Sequence, residues 1–502
     1  MPIEHFDVVV VGAGLSGIGA GYHLRKNCPR KSYVILEGRD TIGGTWDLFR
    51  YPGIRSDSDM FTLGYAFKPW TEPKAIADGP SILNYVKETA REHGIDAKIR
   101  FNTRVKRASW SSKEAKWTVE AERGPSKETA RFTCNFLFMC SGYYKYEAGY
   151  TPQFPGTERF AGQIVHPQKW PQNLDYAGKR VVVIGSGATA VTLVPAMAQT
   201  AAHVTMLQRS PTYVVSRPAE DPVANKLRRN LPSKLAYHIV RWRNVLRGIY
   251  IYQLCKRDPE RIKTMILGGV RAELGPDYDV KKHFTPRYNP WDQRLCLVPD
   301  SDLFKVIRAG SASVVTDQIE TFTRHGIKLK SGEELPADII VTATGLELQT
   351  LGNLELSVDG RPVERPKLMS YKGMMYSDVP NLAAAVGYTN ASWTLKCDLT
   401  CEYVCRLLNL MDKKGYAQCT PRLNDPSVTP EPWVDFSSGY IQRAAANAPR
   451  QGSKKPWRLN QNYAKDLIML RLGALEDGTM EFRKAGVGGT RAPAARLEQV
   501  PA

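Results

Sequence analysis

The sequence predicts an α/β protein built from two Rossmann-like dinucleotide-binding domains, with a helical insert in the second domain. A run of β-forming residues followed by spaced glycines occurs twice, first in FDVVVVGAGLSGIGAGYHL and again in RVVVIGSGATAVTLVPAMA. Each run has the strand, turn and helix order of a βα unit in a parallel sheet. The length of 502 residues fits two or three domains, and a content of 42% hydrophobic and 24% charged residues is typical of globular proteins.

The first glycine-rich run has the spacing of a dinucleotide site. Gly12, Gly14 and Gly17 allow a tight turn, close approach of the backbone to a pyrophosphate, and close packing of the helix on the strand. The next strand, SYVILE, ends in Glu37, where a carboxylate can accept both hydroxyl groups of an adenosine ribose. A glycine-rich turn without a ligand is the alternative, and the acidic residue at this spacing favours the binding site.

The second run repeats the motif with a change of charge. Arg209 follows its first glycine by 24 residues, close to the 25 residues that separate Glu37 from the first glycine of the earlier motif. An arginine with Ser210 beside it suits a 2′-phosphate, which favours NADPH over NADH. An ordinary surface arginine at the end of a strand is the alternative. The residues of this second motif are Gly185, Gly187 and Ala190.

Two further strands, in NFLFMCSGYY and ADIIVTATGLE, end near Gly142 and Gly345 and indicate where the chain crosses between domains. One site for FAD and one for NADPH would make a flavoprotein whose flavin is reduced by hydride. The predicted organisation is a first FAD-binding part at 1–150, an NADP-binding domain at 151–340 with a basic helical insert at about 220–290, the return of the FAD-binding domain with C-terminal helices at 341–484, and a disordered tail at 485–502.

The formal net charge of +19 is concentrated in the insert. Between residues 224 and 271 there are twelve Lys or Arg residues, and the acidic residues there are Asp258 and Glu260. The stretch KLAYHIVRWRNVLRGIYIYQLCK predicts a basic amphipathic helix. Packing of one face on the protein itself is favoured, and attachment to an anionic membrane surface is the alternative. Nucleic-acid binding is not expected, because no recognised motif accompanies the charge.

The cysteine pattern favours reduced thiols. There are nine cysteines, without a CxxC pair or the Cys and His spacing of a metal site. Cys397, Cys401 and Cys405 recur every four residues, as expected for buried thiols on one face of a helix. The N-terminal residues do not resemble a signal peptide and no apolar run is long enough to span a bilayer, so a cytoplasmic location is expected.

Two long motifs are FAGQIVHPQKWP, with the pattern FxGxxxHxxxWP, and GGTWDLFRYPGIRSD, with the pattern GGxWxxxxYPGxxxD. Both resemble signatures of the Baeyer-Villiger monooxygenases, flavoenzymes that insert oxygen beside a carbonyl. The resemblance covers nearly the whole chain. The stretches RYPGIRSDSDM, NPWDQRLCLVP, GYTNASWTLK and PWRLNQNY are most similar to the ethionamide-activating branch of that family.

This resemblance implies an activity and a substrate class. NADPH would reduce FAD, and one oxygen atom of O2 would be inserted next to a ketone carbonyl to give an ester or lactone. Sulfides and thioamides would also accept oxygen. A flavin-containing N- or S-monooxygenase and a membrane-attached redox protein are the alternatives. A pyridine nucleotide-disulfide reductase is disfavoured, because the chain has no redox CxxC or CxxxxC.

The resemblance also assigns residues. Arg294 matches the family's active-site arginine, whose permanent charge suits an anionic oxygen species in a dry site. Asp57 matches the acid that pairs with it, with helix capping in SDSD as the alternative. Gln293 replaces a lysine of relatives, so one contact with the 2′-phosphate is expected to be missing. His166 and Trp170 match linker residues, for which a structural or coupling role is favoured over direct chemistry.

The remaining cofactor contacts follow from the same matching. They are Ser16, Gly44, Thr45, Trp46, Asp47, Leu48 and Val105 for FAD; Arg55, Ser56 and Asp57 beside the nicotinamide; and Ser186, Ala188 and Thr189 for NADPH.

Overall fold

A computed structural model describes residues 3–434 and 436–485. The chain first builds most of one large sheet. Strand β1 pairs in parallel with β2 and β6, so the first glycine motif connects β1 to α1 as predicted. The elements up to residue 139 are β1 (Glu4–Val11), α1 (Leu15–Asn27), β2 (Tyr33–Leu36), α2 (Thr45–Leu48), α3 (Met60–Leu63), α4 (Gly79–Glu92), β3 (Ile99–Arg100), β4 (Thr103–Ser111), β5 (Lys116–Arg123) and β6 (Glu128–Met139).

A second, five-stranded sheet follows, and all its strands are parallel, in the order β12-β9-β8-β16-β7. The elements of this region are β7 (Gln163–Val165), β8 (Arg180–Ile184), α5 (Ala188–Met197), β9 (His203–Gln208), β10 (Val214–Arg217), α6 (Pro222–Asn230), α7 (Ser233–Arg257), α8 (Pro259–Leu274), α9 (Val280–Phe284), β11 (Cys296–Pro299), α10 (Asp302–Arg308), β12 (Ala312–Thr316), β13 (Ile319–Phe322), β14 (Gly326–Leu329), β15 (Glu334–Pro336) and β16 (Ile339–Thr342).

The chain then returns to the first sheet, where β17 pairs with β4 and β21 pairs with β6. The remaining elements are β17 (Glu355–Val358), β18 (Arg361–Pro362), β19 (Ser370–Tyr371), β20 (Met375–Tyr376), β21 (Leu382–Ala384), α11 (Trp393–Lys414), β22 (Tyr416–Pro421), β23 (Pro430–Glu431), α12 (Gly439–Ala444), β24 (Gln451–Gly452), α13 (Tyr463–Leu467) and β25 (Met480–Lys484). Single turns of 3-10 helix lie at 96–98, 157–159, 167–169, 350–353, 365–367 and 445–447, and a π-helical turn at 468–472. The tail predicted to be disordered lies outside the described residues, apart from Ala485.

Both faces of β1 are covered, which explains its uninterrupted apolar sequence. Val8 and Val10 join a core with α1, α4 and α11, whereas Val9 joins a separate core with β4 and β5. Successive residues of a strand point to opposite faces, so a strand buried on both faces needs apolar residues throughout. The predicted α/β fold with two Rossmann-like sheets is confirmed.

Helix α7 packs on the first domain through one face. Its Tyr237 hydroxyl donates to the carbonyl of Tyr65 at 2.9 Å. Arg241, only 3% exposed, donates to the carbonyls of Phe61 at 2.7 Å and Gly64 at 2.8 Å, at the end of α3. The helix is therefore not divided simply into an apolar inner face and a charged outer face, because an arginine is buried to satisfy free carbonyls at a helix terminus.

The cysteines lie where the pattern predicted buried thiols. All nine are buried and free of disulfides, and Cys397, Cys401 and Cys405 lie along α11. Burial raises the pKa of the Cys397 thiol to about 12. Among the described residues, no helix is both long and apolar enough to cross a membrane.

Candidate active site

A cleft of about 1090 Å³ contains both predicted dinucleotide sites. It lies where the carboxyl ends of β1 and β8 lead into the two glycine motifs, which is the usual position of ligands in open α/β sheets. This volume slightly exceeds the about 300–1000 Å³ that is usual for small-molecule pockets, and residues of both glycine motifs line the cleft.

The first glycine motif packs its backbone so closely that side chains at two of its positions would clash. Gly12 has φ +104°, and a β-carbon there would lie 2.6 Å from the carbonyl oxygen of Cys140. A β-carbon on Gly17 would lie 1.8 Å from the carbonyl oxygen of Gly12, so α1 can approach β1 only with glycine at this position. Gly14 and Ser16 line the cleft, whereas Gly17 is a packing residue behind it. The cleft therefore reaches the N-terminus of a 13-residue helix, which is a favourable place for a pyrophosphate.

Glu37 lies at the end of β2 and faces the cleft. It is 7% exposed, and its carboxylate accepts hydrogen bonds from the backbone N–H groups of Ala13 at 2.7 Å and Arg39 at 2.9 Å. Burial raises the pKa of Glu37, and these two hydrogen bonds partly oppose that rise. Val105 on β4 lines the same end of the cleft, as expected for a residue beside the adenine.

Some residues of the GGTWDL loop line the cleft, and others hold the loop in place. Gly44, Thr45 and Trp46 line the cleft. Asp47 does not line it: it is 4% exposed and pairs with Arg39, and with Arg50 at 3.2 Å. The next residue, Leu48, packs against the hydrophobic core of the second domain. These last two predicted contacts therefore hold the loop in place.

The second glycine motif is more open than the first. No atom lies within 4 Å of a β-carbon built on Gly187. Arg209 and Ser210 are exposed at the end of β9 and line the cleft, and no carboxylate among the described residues forms an ion pair with Arg209. Ala190 is fully buried and packs in the core. The other predicted residues of this motif that line the cleft are Gly185, Ser186, Ala188 and Thr189.

Arg294 and Asp57 meet in the cleft although 237 positions separate them in sequence. Arg294 Nε donates to Asp57 Oδ2 at 2.9 Å and Nη2 donates to the same oxygen, while Nη1 donates to the carbonyl of Thr389 at 3.2 Å. The capping role considered for Asp57 belongs to Asp59, which accepts from the N–H of Thr62 at the start of α3. Burial acts to lower the pKa of Arg294, but attraction to Asp57 and their hydrogen bonds outweigh it and raise that pKa.

Aromatic side chains that the motifs did not predict line the cleft near Arg294. Tyr143 stacks on Trp393 with ring centroids 4.7 Å apart, and its hydroxyl lies 2.8 Å from that of Tyr144. Tyr440 on α12 also lines the cleft. Burial raises the pKa of both Tyr143 and Tyr440, so each keeps its proton as a hydrogen-bond donor. The adjacent tyrosines after the crossover strand were the available sequence signal.

Arg55 and Ser56 lie at the boundary between the two domains. Both line the cleft. Arg55 pairs with Asp302 at the start of α10, in the second domain, and this partner was not predicted. The Ser56 hydroxyl donates to the carbonyl of Ser58 at 2.7 Å. Gln293 lines the cleft beside Arg294.

Comparison with known proteins shows the family to which this chain belongs. Residues 72–242 match the model described as flavin-binding monooxygenase-like, and residues 10–70 match the one described as NAD(P)-binding Rossmann-like domain. The chain is 56% identical over 482 residues to the FAD-containing monooxygenase EthA of Mycobacterium tuberculosis (strain ATCC 25618 / H37Rv), covering 96% of this chain and 98% of that protein. The chain belongs to the FAD-containing monooxygenases.

Further comparisons of this monooxygenase with known proteins support the same family. It is 50% identical over 483 residues to the probable FAD-binding monooxygenase AlmA of Acinetobacter baylyi, covering 96% and 97% of the two chains. The closed crystal structure of cyclohexanone monooxygenase matches with a TM-score of 0.74 at 20% identity, covering 96% of this chain and 100% of that one. An oxidized steroid monooxygenase bound to NADP matches with a TM-score of 0.70 at 23% identity, covering 83% and 88%. The predictions of a flavin monooxygenase with FAD and NADPH as cofactors are confirmed.

In this monooxygenase His166 and Trp170 lie outside the cleft lining. The His166 ring packs so closely on Gly149 that a β-carbon there would lie 2.0 Å from it. His166 Nδ1 accepts from the N–H of Gln168 at 3.1 Å, and the Gln168 amide donates to the carbonyl of Lys145 at 2.7 Å. Trp170 packs against the core of the second domain. His166 and Gln168 therefore contact the segment between the domains, whereas Trp170 contacts the second domain.

Proposed function

We propose that this monooxygenase catalyses Baeyer-Villiger oxidation. One oxygen atom of O2 enters beside a ketone carbonyl to give an ester or lactone, the other leaves as water, and NADPH supplies the two electrons. Sulfides and thioamides are further oxygen acceptors. The observation that carries the proposal is the pair formed by Arg294 and Asp57 in an aromatic-lined cleft between the two dinucleotide sites.

The residues of the cleft fit both cofactors. FAD would be held by the first glycine motif, Glu37 and Val105, and NADPH by the second glycine motif and Arg209. A flavin bound there supplies the activation of oxygen. Gly14 and Gly187 line the cleft at the N-termini of α1 and α5, where phosphate groups bind favourably.

Arg294 is the proposed catalytic residue. A guanidinium has five N–H donors, of which two bind Asp57 and one binds Thr389. Two N–H donors therefore remain for a substrate oxygen or another anionic oxygen in the cleft. Because its pKa is raised, the guanidinium stays charged throughout turnover. It can stabilise the negative charge that develops on the attacked carbonyl oxygen.

Product analysis tests this proposal. The purified protein, loaded with FAD, is given NADPH, labelled O2 and a panel of ketones, sulfides, thioamides and amines. Esters or lactones that carry one labelled oxygen atom are expected. N-hydroxylated amines without any ester would instead indicate a flavin N-monooxygenase, and hydrogen peroxide as the sole oxygen product would reject an oxygenase.

We also propose that helix α7 contacts the surface of anionic membranes. Five large apolar side chains on this helix are between 40% and 63% exposed. Their spacing of three or four residues places them on one side of an α-helix, and we call this set the α7 stripe. Its members are Leu235, Ile239, Trp242, Leu246 and Tyr250.

Charge supports a lipid surface as the partner of the α7 stripe. Exposed basic residues accompany it on α6 and α7, which suits anionic headgroups around a shallowly inserted apolar face. Tryptophan and tyrosine are also favoured at the boundary between water and lipid. The basic residues are Lys226, Arg229, Lys234, Arg247 and Arg257.

Sedimentation with vesicles tests the membrane contact. Binding to phosphatidylcholine vesicles that contain phosphatidylglycerol is expected, with weaker binding at high salt and on phosphatidylcholine alone. The double variant Leu246→Glu, Tyr250→Glu should lose binding, whereas Ile164→Glu, at an exposed apolar residue of β7, should keep it. Absence of binding by the parent rejects the proposal. A dimer that the double variant disperses would assign the stripe to a second copy of the chain.

A further inference from the structure

We infer that Gln461 is a positioning residue for Arg294. The inference rests on the proposed role of Arg294. Gln461 lies in the stretch PWRLNQNY, about 170 residues after the arginine, and does not line the cleft. It acts through Thr389, whose carbonyl accepts the hydrogen bond from Arg294 Nη1.

Gln461 is hydrogen-bonded to the backbone of Thr389 and to the side chain of Asn390, the next residue. Its side-chain oxygen accepts from the N–H of Thr389 at 3.1 Å and lies 3.3 Å from the Thr389 hydroxyl. Its backbone carbonyl accepts from the side-chain amide of Asn390 at 2.9 Å. Thr389, which bears the carbonyl, and Asn390, which follows it, are therefore both hydrogen-bonded to Gln461, and this limits the directions in which the carbonyl can point.

A second, buried connection joins the segment that contains Thr389 to the segment that contains Gln461. Asp466, 1% exposed, accepts hydrogen bonds from the Tyr388 hydroxyl at 2.8 Å and from the Asn460 amide at 2.7 Å. Lys396 neutralises it at 2.7 Å. Since Tyr388 and Asn460 immediately precede Thr389 and Gln461, the two segments are joined at two consecutive positions.

Orientation of the guanidinium depends on this arrangement. Both hydrogen bonds from Arg294 to Asp57 end on one oxygen, so the guanidinium can pivot about that oxygen. The Thr389 carbonyl is the second fixed point, which prevents the pivot and directs the two remaining N–H groups into the cleft. Loss of a single neutral hydrogen bond in this chain should reduce product formed per NADPH by roughly three- to tenfold.

Three variants separate this role from a general structural one. Gln461→Met removes the acceptor at similar volume, Gln461→Glu keeps an oxygen acceptor, and Thr389→Val removes only the hydroxyl contact. Gln451→Met is the matched control, because Gln451 is a buried glutamine of the same C-terminal region whose oxygen accepts from the N–H of Leu459 at 3.0 Å. It has no hydrogen bond to Thr389.

Hydrogen exchange at the Thr389 amide and the yield of product per NADPH are measured on each FAD-loaded protein. Gln461→Met should speed exchange at Thr389, lower the yield, release more hydrogen peroxide and leave flavin reduction by NADPH and its KM unchanged. Gln461→Glu should restore slow exchange and most of the yield. Thr389→Val should give a smaller loss, which also provides a readout if Gln461→Met does not fold.

Three results would overturn the inference: unchanged exchange in Gln461→Met, faster exchange with parental yield, or an equal loss in Gln451→Met. If the parent forms no oxygenated product from any substrate, the proposed function fails. The exchange measurement then still reports whether Gln461 holds Thr389.

Discussion

Charge at single positions accounts for most of the chemistry assigned to the cleft. Arg294→Ala removes the guanidinium that faces the reacting oxygen, but leaves both glycine motifs intact. FAD should still bind and NADPH should still reduce it, while ester formation should fall about a hundred- to a thousandfold. Lysine should not restore it, because an ammonium lacks the planar fork that holds Asp57 and Thr389 together. Rapid-mixing absorbance and product yield measure the two steps; parental yield in Arg294→Ala would remove this residue from the mechanism.

The choice of nicotinamide cofactor depends on Arg209 in the same way. Arg209→Ala should weaken NADPH binding by about 1.5–3 kcal/mol, since the lost charge-assisted hydrogen bond is to the 2′-phosphate. NADH lacks that phosphate and should be little affected. The measurement is the KM of flavin reduction with each cofactor. Arg308→Ala, on α10 outside the cleft lining, is the control. Equal weakening of both cofactors in Arg209→Ala would contradict the assignment.

Residues whose role follows from local spacing could be predicted, and residues that act through distant contacts could not. Glu37 and Arg209 lie at fixed distances after glycine motifs, so their places at the strand ends follow from the βα unit itself. Arg294 was assigned only through a family motif, because nothing local distinguishes it from other basic residues. Gln461 and Tyr440 reach the site through tertiary contacts that no short pattern contains.

At the scale of elements, α7 shows why helix existence is easier to predict than helix orientation. Its sequence predicts a helix, and the structure has one at Ser233–Arg257. The buried side, however, depends on carbonyls at the end of α3 that attract Arg241 inward, opposite Asp398 at 3.7 Å. Periodicity alone could not place an arginine in the interior or leave Trp242 40% exposed.

Arg241 should therefore contribute far more stability than its neighbour on the same helix. Arg241→Met removes the guanidinium opposite the buried Asp398, which keeps its contact with His23 at 3.4 Å, and breaking a buried pair costs about 3–5 kcal/mol. Arg243→Met removes a partly exposed pair with Asp221 and should cost no more than about 1 kcal/mol. The loss of stability in the two variants is compared by thermal unfolding and by hydrogen exchange in α3 and α7. Similar unfolding temperatures would show that Arg241 does not stabilise the packing of α7 on the first domain.

On the scale of the whole molecule, the two crossings between domains lie side by side. The N–H of Tyr150, on the outgoing segment, donates to the carbonyl of Gly345, on the returning segment, at 3.0 Å. His166 packs on Gly149 beside this hydrogen bond. The motif that contains His166 therefore contacts the two crossings, where we expect movement of one domain on the other to be transmitted. His166 itself does not line the cleft, but Tyr150 and Gly345 do.

The contact between His166 and Gly149 gives a test of this coupling. Gly149→Ala should displace the His166 ring, because the new methyl group would lie 2.0 Å from it. FAD should remain bound, while the yield of product per NADPH should fall as the domains lose their relative position. In a His166→Ala background the clash is absent, so adding Gly149→Ala should change little, and the two effects should not add. Gly268→Ala, at a glycine of α8 with open space around it, is the neutral control. Fully additive losses would mean that Gly149 acts independently of His166, and the coupling role of this motif would have to be abandoned.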